Sequence, residues 1–492
     1  NVRMMNWKMW QKCVGKMGKK LPIFLFIFIL LYVIGSLICY PLLTKRHVLK
    51  QKEKYAEQAA KESVDRSASV RCLDDNTQAL VYRLALIESA QRELIMTTFD
   101  MSDGESGQDL MAAMLQAADR GVRIRLMVDG INAWLKLEKS DLFGAFSTHP
   151  NIEIRFYNPI RLTKLWKLNY RMHDKYLIAD DTAYILGGRN SNNLFLGAYR
   201  DTYNIDRDLY VLERTEKNAS DVMQKKERNS LQDIKAYFEK IWVQPDQKIF
   251  RKKETEKTKE GLALLREHYK ELQTAYPEAF SETETLLTQD LIRVDSIQFL
   301  HNPLYADEKV PVVYQRICQE MEQGETILIQ TPYIICDKGM YQDLSELCRA
   351  GKQIEIITNA VESGANPWGC TDYLNERKSI LKTGAGVYAC MAGQSLHTKT
   401  VLIDDETSIV GSYNLDLRST YLDTELMLLV KSKELNKQLR DQAVAYQEKS
   451  AYEKAGKPSR TGSLYEKKEM SGMQKVIYSI LRILIRPIRE VL

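Results

Sequence analysis

His173 and Lys175 stand two residues apart in "MHDKYLIADDTAYILGGRN", and His397 and Lys399 stand two apart in "LHTKTVLIDDETSIVGSYN". Laid over each other, both stretches read His, any residue, Lys, four residues, Asp, six residues, Gly, Gly or Ser, any residue, Asn. The fixed positions are His173, Lys175, Asp180, Gly187, Gly188 and Asn190 in the first copy, and His397, Lys399, Asp404, Gly411, Ser412 and Asn414 in the second. A duplicated structural element alone would not require these polar residue types. A His and a Lys two apart on an extended chain share one face. A Gly-containing turn then lets the chain approach closely and returns an Asn towards the pair. Each half therefore offers an imidazole, a cation and an amide on one surface.

Two such surfaces facing each other fit phosphodiester exchange without a metal. One neutral His attacks phosphorus while the other, protonated, supplies a proton to the leaving oxygen. Two lysines and two asparagines stabilise the non-bridging oxygens as charge develops. The site expected from this is His173, Lys175, Asp180, Asn190, His397, Lys399, Asp404 and Asn414. Asp180 and Asp404 follow strands at turns and would serve structure equally well. Downstream, "DRDLYVL" aligns with "DTELMLLV", which sets Asp208 opposite Glu425. A carboxylate on a strand beside the motif could fix a histidine tautomer, so Asp208 and Glu425 are expected as orienting groups.

The elements that must position these residues repeat as well. Leu94–Thr98 and Ile327–Thr331 read as strands, followed by segments with apolar residues at three and four (Leu110, Met114, Leu115; Leu344, Leu347). Gly121 and Gly351 end those helices and second strands follow. Strand, helix, strand is the crossover unit of a parallel or mixed sheet. The fold class expected is α/β: two similar lobes, 71–215 and 291–434, each a mixed β-sheet flanked by helices. Between them, 216–290 reads as a Lys- and Glu-rich helical connector or a lid. Residues 435–470 form a charged C-terminal segment.

The 492-residue chain is long enough for two or three cores, and its net charge of +5 is mild for that length, so composition makes no case for nucleic acid. The eight cysteines include no CxxC pair and no metal-ligand spacing. Free thiols are expected, with no metal and no cofactor. "LPIFLFIFILLYVIGSLICYPLL" (21–43) carries no charge and follows a basic tail (1–20) holding Arg3, Lys8, Lys12, Lys16, Lys19 and Lys20. It is too long for a signal peptide, lacks a cleavage site, and reads as a transmembrane helix with 44–70 as linker. The purer positive charge of the tail favours its inside placement and an extracytoplasmic catalytic part. At the other end, 471–492 reads as a basic amphipathic helix, suited either to a membrane surface or to packing on the body, with Pro487 ending it early.

The paired HxKxxxxD stretches resemble the signatures of the phospholipase D superfamily. "YRMHDKYLIAD…ILGGRN", "SLHTKTVLIDDETSIVGSYNLDLRSTYLDTE" and "QTPYI" resemble bacterial cardiolipin synthases of that type. The resemblance covers about 71–434. It implies transfer of a phosphatidyl group from one phosphatidylglycerol through a histidine to another, in the cell membrane. It also implies His173 as nucleophile and His397 as acid/base, roles that the near-symmetric sequence leaves open. Family members often have two N-terminal spans, whereas this chain shows one. A hydrolase releasing phosphatidate, a nuclease and a non-catalytic scaffold are the competing readings. With both motifs in one chain, a monomer suffices for a complete site.

Overall fold

The computed structural model describes residues 24–49, 64, 68–213, 228–305 and 308–492. The basic tail and most of the 44–70 linker lie outside the described residues. The chain forms two nine-stranded mixed sheets, one per lobe.

The first lobe contains β1 (Ser69–Leu73), β2 (Glu93–Thr98), β3 (Arg123–Asp129), β4 (Ile152–Tyr157), β5 (Tyr176–Ala179), β6 (Ala183–Gly187), β7 (Asn204–Ile205), β8 (Asp208–Leu212), β9 (Lys248–Phe250) and β10 (Ile292–Arg293). The second contains β11 (Ser296–His301), β12 (Thr326–Gln330), β13 (Gln353–Asn359), β14 (Gly386–Cys390), β15 (Ser395–Leu396), β16 (Thr400–Ile403), β17 (Thr407–Gly411), β18 (Leu426–Lys431), β19 (Ser450–Glu453) and β20 (Arg460–Thr461). The sheet orders are β10-β1-β8-β6-β5-β2-β3-β4-β9 and β11-β18-β17-β16-β12-β13-β14-β19-β20. The central run β8-β6-β5-β2-β3-β4 repeats strand for strand as β18-β17-β16-β12-β13-β14. The expected architecture of two similar α/β lobes is therefore present. The second lobe's sheet continues past residue 434 into β19 and β20.

Helices α1 (Phe24–Val48), α2 (Asn76–Ser89), α3 (Glu105–Asp119), α4 (Ser230–Trp242), α5 (Glu256–Ala275), α6 (Val312–Gln323), α7 (Lys338–Arg349), α8 (Pro367–Lys382), α9 (Lys433–Glu448) and α10 (Gly472–Leu484) cover the sheets or extend from them. In each lobe a parallel pair (β2 with β3, β12 with β13) is joined by a crossover helix, α3 or α7. Each crossover helix stops at a glycine with positive φ, 99° at Gly121 and 95° at Gly351. There the N–H of the next residue reaches back to a helix carbonyl, Val122 to Ala117 and Lys352 to Leu347.

The described part of the stretch between the lobes, 228–290, packs against them as a wall, and residues 216–227 lie outside the described residues. The apolar stripe of α4 (Leu231, Ile234, Phe238, Ile241) is buried in a core shared by both sheets. Leu265, Tyr269 and Leu272 of α5 are buried against the outer helices of the first lobe, each side chain contributing about 1.5–3 kcal/mol. An amphipathic pattern specifies a buried face without saying what buries it.

The lobes join through the segments that carry the histidines. β7 pairs in parallel with β15, and Met172 bridges to Thr424. The His397 N–H donates to the Ile205 carbonyl at 2.7 Å, and the Thr424 N–H donates to the Arg171 carbonyl at 2.9 Å.

Candidate active site

Both histidines sit just before a central strand, His173 ahead of β5 and His397 ahead of β16, and both are held by the opposite lobe. His173 Nδ1 lies 2.9 Å from Oε1 of Glu425, which immediately precedes β18. His397 Nδ1 lies 2.5 Å from Oδ2 of Asp206, in the turn before β8. With Nδ1 turned to a carboxylate, Nε2 of His173 is left to do chemistry, while Nε2 of His397 lies 3.2 Å from the Lys399 ammonium. A phenylalanine packs edge-on against each ring at 5.0 Å, Phe99 on His173 and Phe195 on His397. The Lys175 ammonium donates to the His173 carbonyl at 2.6 Å. That of Lys399 contacts the His397 carbonyl and Nδ1 and donates to Asp206 at 3.3 Å. The Lys399 charge acts on His173 and the Lys175 charge on His397, so the two motifs converge on one space.

Asn190 and Asn414 follow the strands that pair with β5 and β16. Both are buried, and among the described residues the Oδ1 of each has no hydrogen-bond partner. Asn414 Nδ2 donates to the Tyr333 hydroxyl at 3.2 Å. An amide can turn to offer donor or acceptor, so both keep hydrogen-bonding capacity for a substrate's oxygens.

Burial first, then the adjacent lysine cation, lowers both imidazoles, His173 well below its ordinary range and His397 to about 4. Neutral rings are what a nucleophile requires. A phosphodiester anion between them raises both again, because an opposite charge favours the imidazolium. The two carboxylates differ. Burial pushes Glu425 up to about 8, with Lys175 and the Ser412 and Ser419 hydroxyls pulling only partly the other way. Burial also opposes the Asp206 carboxylate, but Lys399, His397 and Arg189 outweigh it and hold the group well below its usual range. Burial lowers Lys175 to about 7.

The structure corrects three of the expected residues. Asp180 and Asp404 lie at the far end of the strands that begin at the histidines, seven positions of extended chain away, or about 20 Å. Asp180 accepts the backbone N–H groups of Gln91, Arg92 and Glu93, each at 2.8 Å. Asp404 accepts those of Glu325 and Thr326 at 2.9 and 2.8 Å. Both adopt positive φ, 50° and 48°, at the tight turn of a hairpin, and tie that turn to the start of β2 or β12. They are structural clasps. Asp208 is not a histidine partner. Its Oδ2 takes Arg83 at 2.8 Å and Arg189 at 3.4 Å, and Oδ1 takes the Arg189 N–H, all fully buried.

The residue missed is Asp206. Gly188 N–H donates to the Arg207 carbonyl, and Ser412 N–H donates to that of Leu426, so Arg207 matches Leu426 and Asp206 matches Glu425. The alignment through "DRDLYVL" is two residues out of step. A slip of two leaves every side chain on the same sheet face, so alternation of apolar and polar residues could not expose it. Only the strand register exposes it. Counted from the motif glycines, Gly187 pairs with Asp208 and Gly411 with Met427. At Gly188 a Cβ would lie 2.3 Å from Asp206 Oδ1, whereas the equivalent Ser412 donates its hydroxyl to Glu425 Oε2 at 2.5 Å.

Comparison with known proteins bears on the same two segments. The family described as "Cardiolipin synthase, PLD-like domain" matches residues 84–242 and 317–445, more than half of the chain. The chain belongs to the phospholipase D-like family. Each matched stretch of that family contains one complete motif, and the resemblance read from the motifs is borne out. Cardiolipin synthase C of Escherichia coli is 26% identical over 399 residues, 74% of this chain and 81% of that protein. The major cardiolipin synthase of Bacillus subtilis is 25% identical over 359 residues, 73% of this chain and 64% of its own length. Phosphatidylserine synthase from Haemophilus influenzae matches in fold with a TM-score of 0.61 at 17% identity, covering 90% of this chain and 100% of that one. The phospholipase D-like lobes and their order are thus shared at the level of architecture.

Proposed function

We propose that this protein is a membrane-anchored phosphatidyltransferase that makes cardiolipin from phosphatidylglycerol through a phosphohistidine. The observation that carries the reading is the crossed pair of histidine–carboxylate contacts, His173 with Glu425 and His397 with Asp206, each reaching between lobes. The cardiolipin synthase relatives narrow the substrate class.

In the first step Nε2 of neutral His173 attacks phosphorus. The bond from phosphorus to the glycerol oxygen breaks, and His397 supplies the proton to that oxygen as glycerol leaves. The Asp206 carboxylate, held ionised by Lys399, stabilises the His397 imidazolium that this requires. In the second step a hydroxyl of another phosphatidylglycerol attacks phosphorus, His397 takes its proton, and the phosphorus–nitrogen bond to His173 breaks. Lys175, Lys399, Asn190 and Asn414 meet the non-bridging oxygens. Both motifs lie in one chain, so a monomer is sufficient. The assignment of nucleophile and acid follows the difference between the two carboxylates. The ring paired with the strongly ionised Asp206 is the one suited to hold a proton.

α1 is long and apolar enough to cross a bilayer, and its apolar stretch is for the most part not buried, which argues against a core helix. We read it as the anchor, with the catalytic body outside the cell membrane on account of the basic residues in 1–20.

The test is turnover of labelled phosphatidylglycerol in mixed micelles, with the lipid products separated by mass. Cardiolipin with free glycerol supports the proposal. Phosphatidate without cardiolipin makes water the acceptor and replaces it with a phospholipase. The pH dependence supplies a second check. Glu425 loses its ionised form as pH falls through about 8, and Lys175 loses its cation as pH rises through about 7. The kcat/KM profile is expected to be a narrow bell peaking between those values, its limbs belonging to the coupled set. Glu425→Gln should flatten the acid limb; an unchanged acid limb would assign it elsewhere.

A further inference from the structure

α10 presents two faces that the catalytic machinery does not use. On its inner side Tyr478 is buried and the Arg482 guanidinium donates to Asn375 of α8 at 2.9 Å, while Ile485, just past the helix, is fully buried. The helix cannot roll this side outwards. On its outer side Met473, Val476, Ile477, Ile480, Ile483 and Leu484 are 44–75% exposed. At 100° per residue they fall within an arc of about 120°; Lys475 stands about 80° beyond one edge of that arc, and Arg486 lies just past the helix. A continuous exposed apolar stripe on an otherwise packed protein marks a contact surface.

The contacts of α1 say what covers it. The apolar run continues to Leu43, yet its outer half is docked on the body. The Tyr32 hydroxyl donates to the Leu162 carbonyl at 2.9 Å, Asn169 Nδ2 donates to the Leu37 carbonyl at 2.8 Å, and Tyr40 packs on Trp166 and Tyr170 at 6.3 Å. From residue 32 to 43 a helix rises about 17 Å. That is roughly half of a ~30 Å hydrocarbon core, or one leaflet. Leu162, 77% exposed, therefore stands at acyl-chain depth. Lys45, two residues past the apolar run, stands at headgroup depth, and it pairs with Glu490 at 2.8 Å and Asp337 at 2.9 Å. Glu490 belongs to the turn that directly follows α10.

We propose that α10 lies in the headgroup layer of an anionic phospholipid bilayer, with its apolar stripe in the lipid, so that the body sits partly sunk in one leaflet. This rests on the reading of α1 as a membrane span. His173 is four residues from Asn169, so sinking the body brings the catalytic site to the level of the phosphates, and substrate lipids reach it sideways.

The test uses the full chain in vesicles of phosphatidylcholine and labelled phosphatidylglycerol, with p-benzoylphenylalanine placed at position 480, at 162, or at 444 on α9 as an exposed control. On irradiation, lipid is expected to couple at 480 and 162 at least ten times more than at 444. Coupling at 480 no greater than at 444 overturns the proposal. Ile477→Glu with Ile480→Glu is expected to lower turnover of vesicle lipid at least tenfold while leaving turnover of a soluble short-chain phosphatidylglycerol unchanged. Equal turnover of vesicle lipid by parent and variant also overturns it. Coupling at 480 in a chain that turns over no phospholipid leaves the helix placement standing and removes the catalytic reading instead.

Discussion

His173→Gln and His397→Gln should each lower phosphatidyl transfer by about 10⁴-fold, and a substrate with an activated leaving group should then separate the two roles. A phosphatidyl ester of p-nitrophenol releases an anion that needs no proton. His397→Gln therefore retains the first chemical step on such a substrate and loses the second, in which a base must take a proton from the acceptor. Intact-protein mass measurement should find a phosphatidyl adduct on His173 accumulating in His397→Gln and none in His173→Gln. An adduct on His397 in the His173→Gln protein would exchange the two assignments. Absence of an adduct in both would remove the covalent intermediate.

The second large effect separates two aspartates that stand two residues apart. Asp206→Asn removes the charge behind His397 but keeps the size of the side chain, and should lower kcat about 10³-fold or more while the protein stays folded. Asp208→Asn takes the carboxylate from two buried guanidinium groups, Arg83 and Arg189. Breaking a buried pair in this way costs about 3–5 kcal/mol. Asp208→Asn should therefore show a markedly lower melting temperature, with kcat within about tenfold of the parent at a temperature where it remains folded. Thermal unfolding followed by circular dichroism, beside turnover, measures both. A catalytic collapse in Asp208→Asn at full stability would restore it to the site.

These two residues also show where the sequence was legible. The duplicated His, Lys and Asn and the crossover helices ended by Gly121 and Gly351 could be read locally, because each is fixed by neighbours in the chain. What escaped depends on pairing between distant segments. Choosing Asp206 over Asp208 needs the register of β6 on β8. Asp180 and Asp404 share the motif spacing of catalytic residues, yet their chemistry is spent on backbone N–H groups at the opposite end of the strand. The buried stripes of α4 and α5 gave helices without saying whether they cover the site or wall the first lobe. That each histidine answers to the other lobe's carboxylate has no local signature.

That reciprocity has a consequence for how such a chain could arise. A single lobe carries a histidine whose partner it cannot supply, and a carboxylate with no ring to hold. Two identical copies related by a two-fold axis would complete both pairs at once, as an isologous dimer does. Fusing the copies into one chain removes the constraint that they stay identical. Gly188 opposite Ser412 and Asp206 opposite Glu425 are differences that a symmetric pair could not have held. On the mechanism proposed above, they let the same pair of rings divide into one that bonds to phosphorus and one that carries the proton.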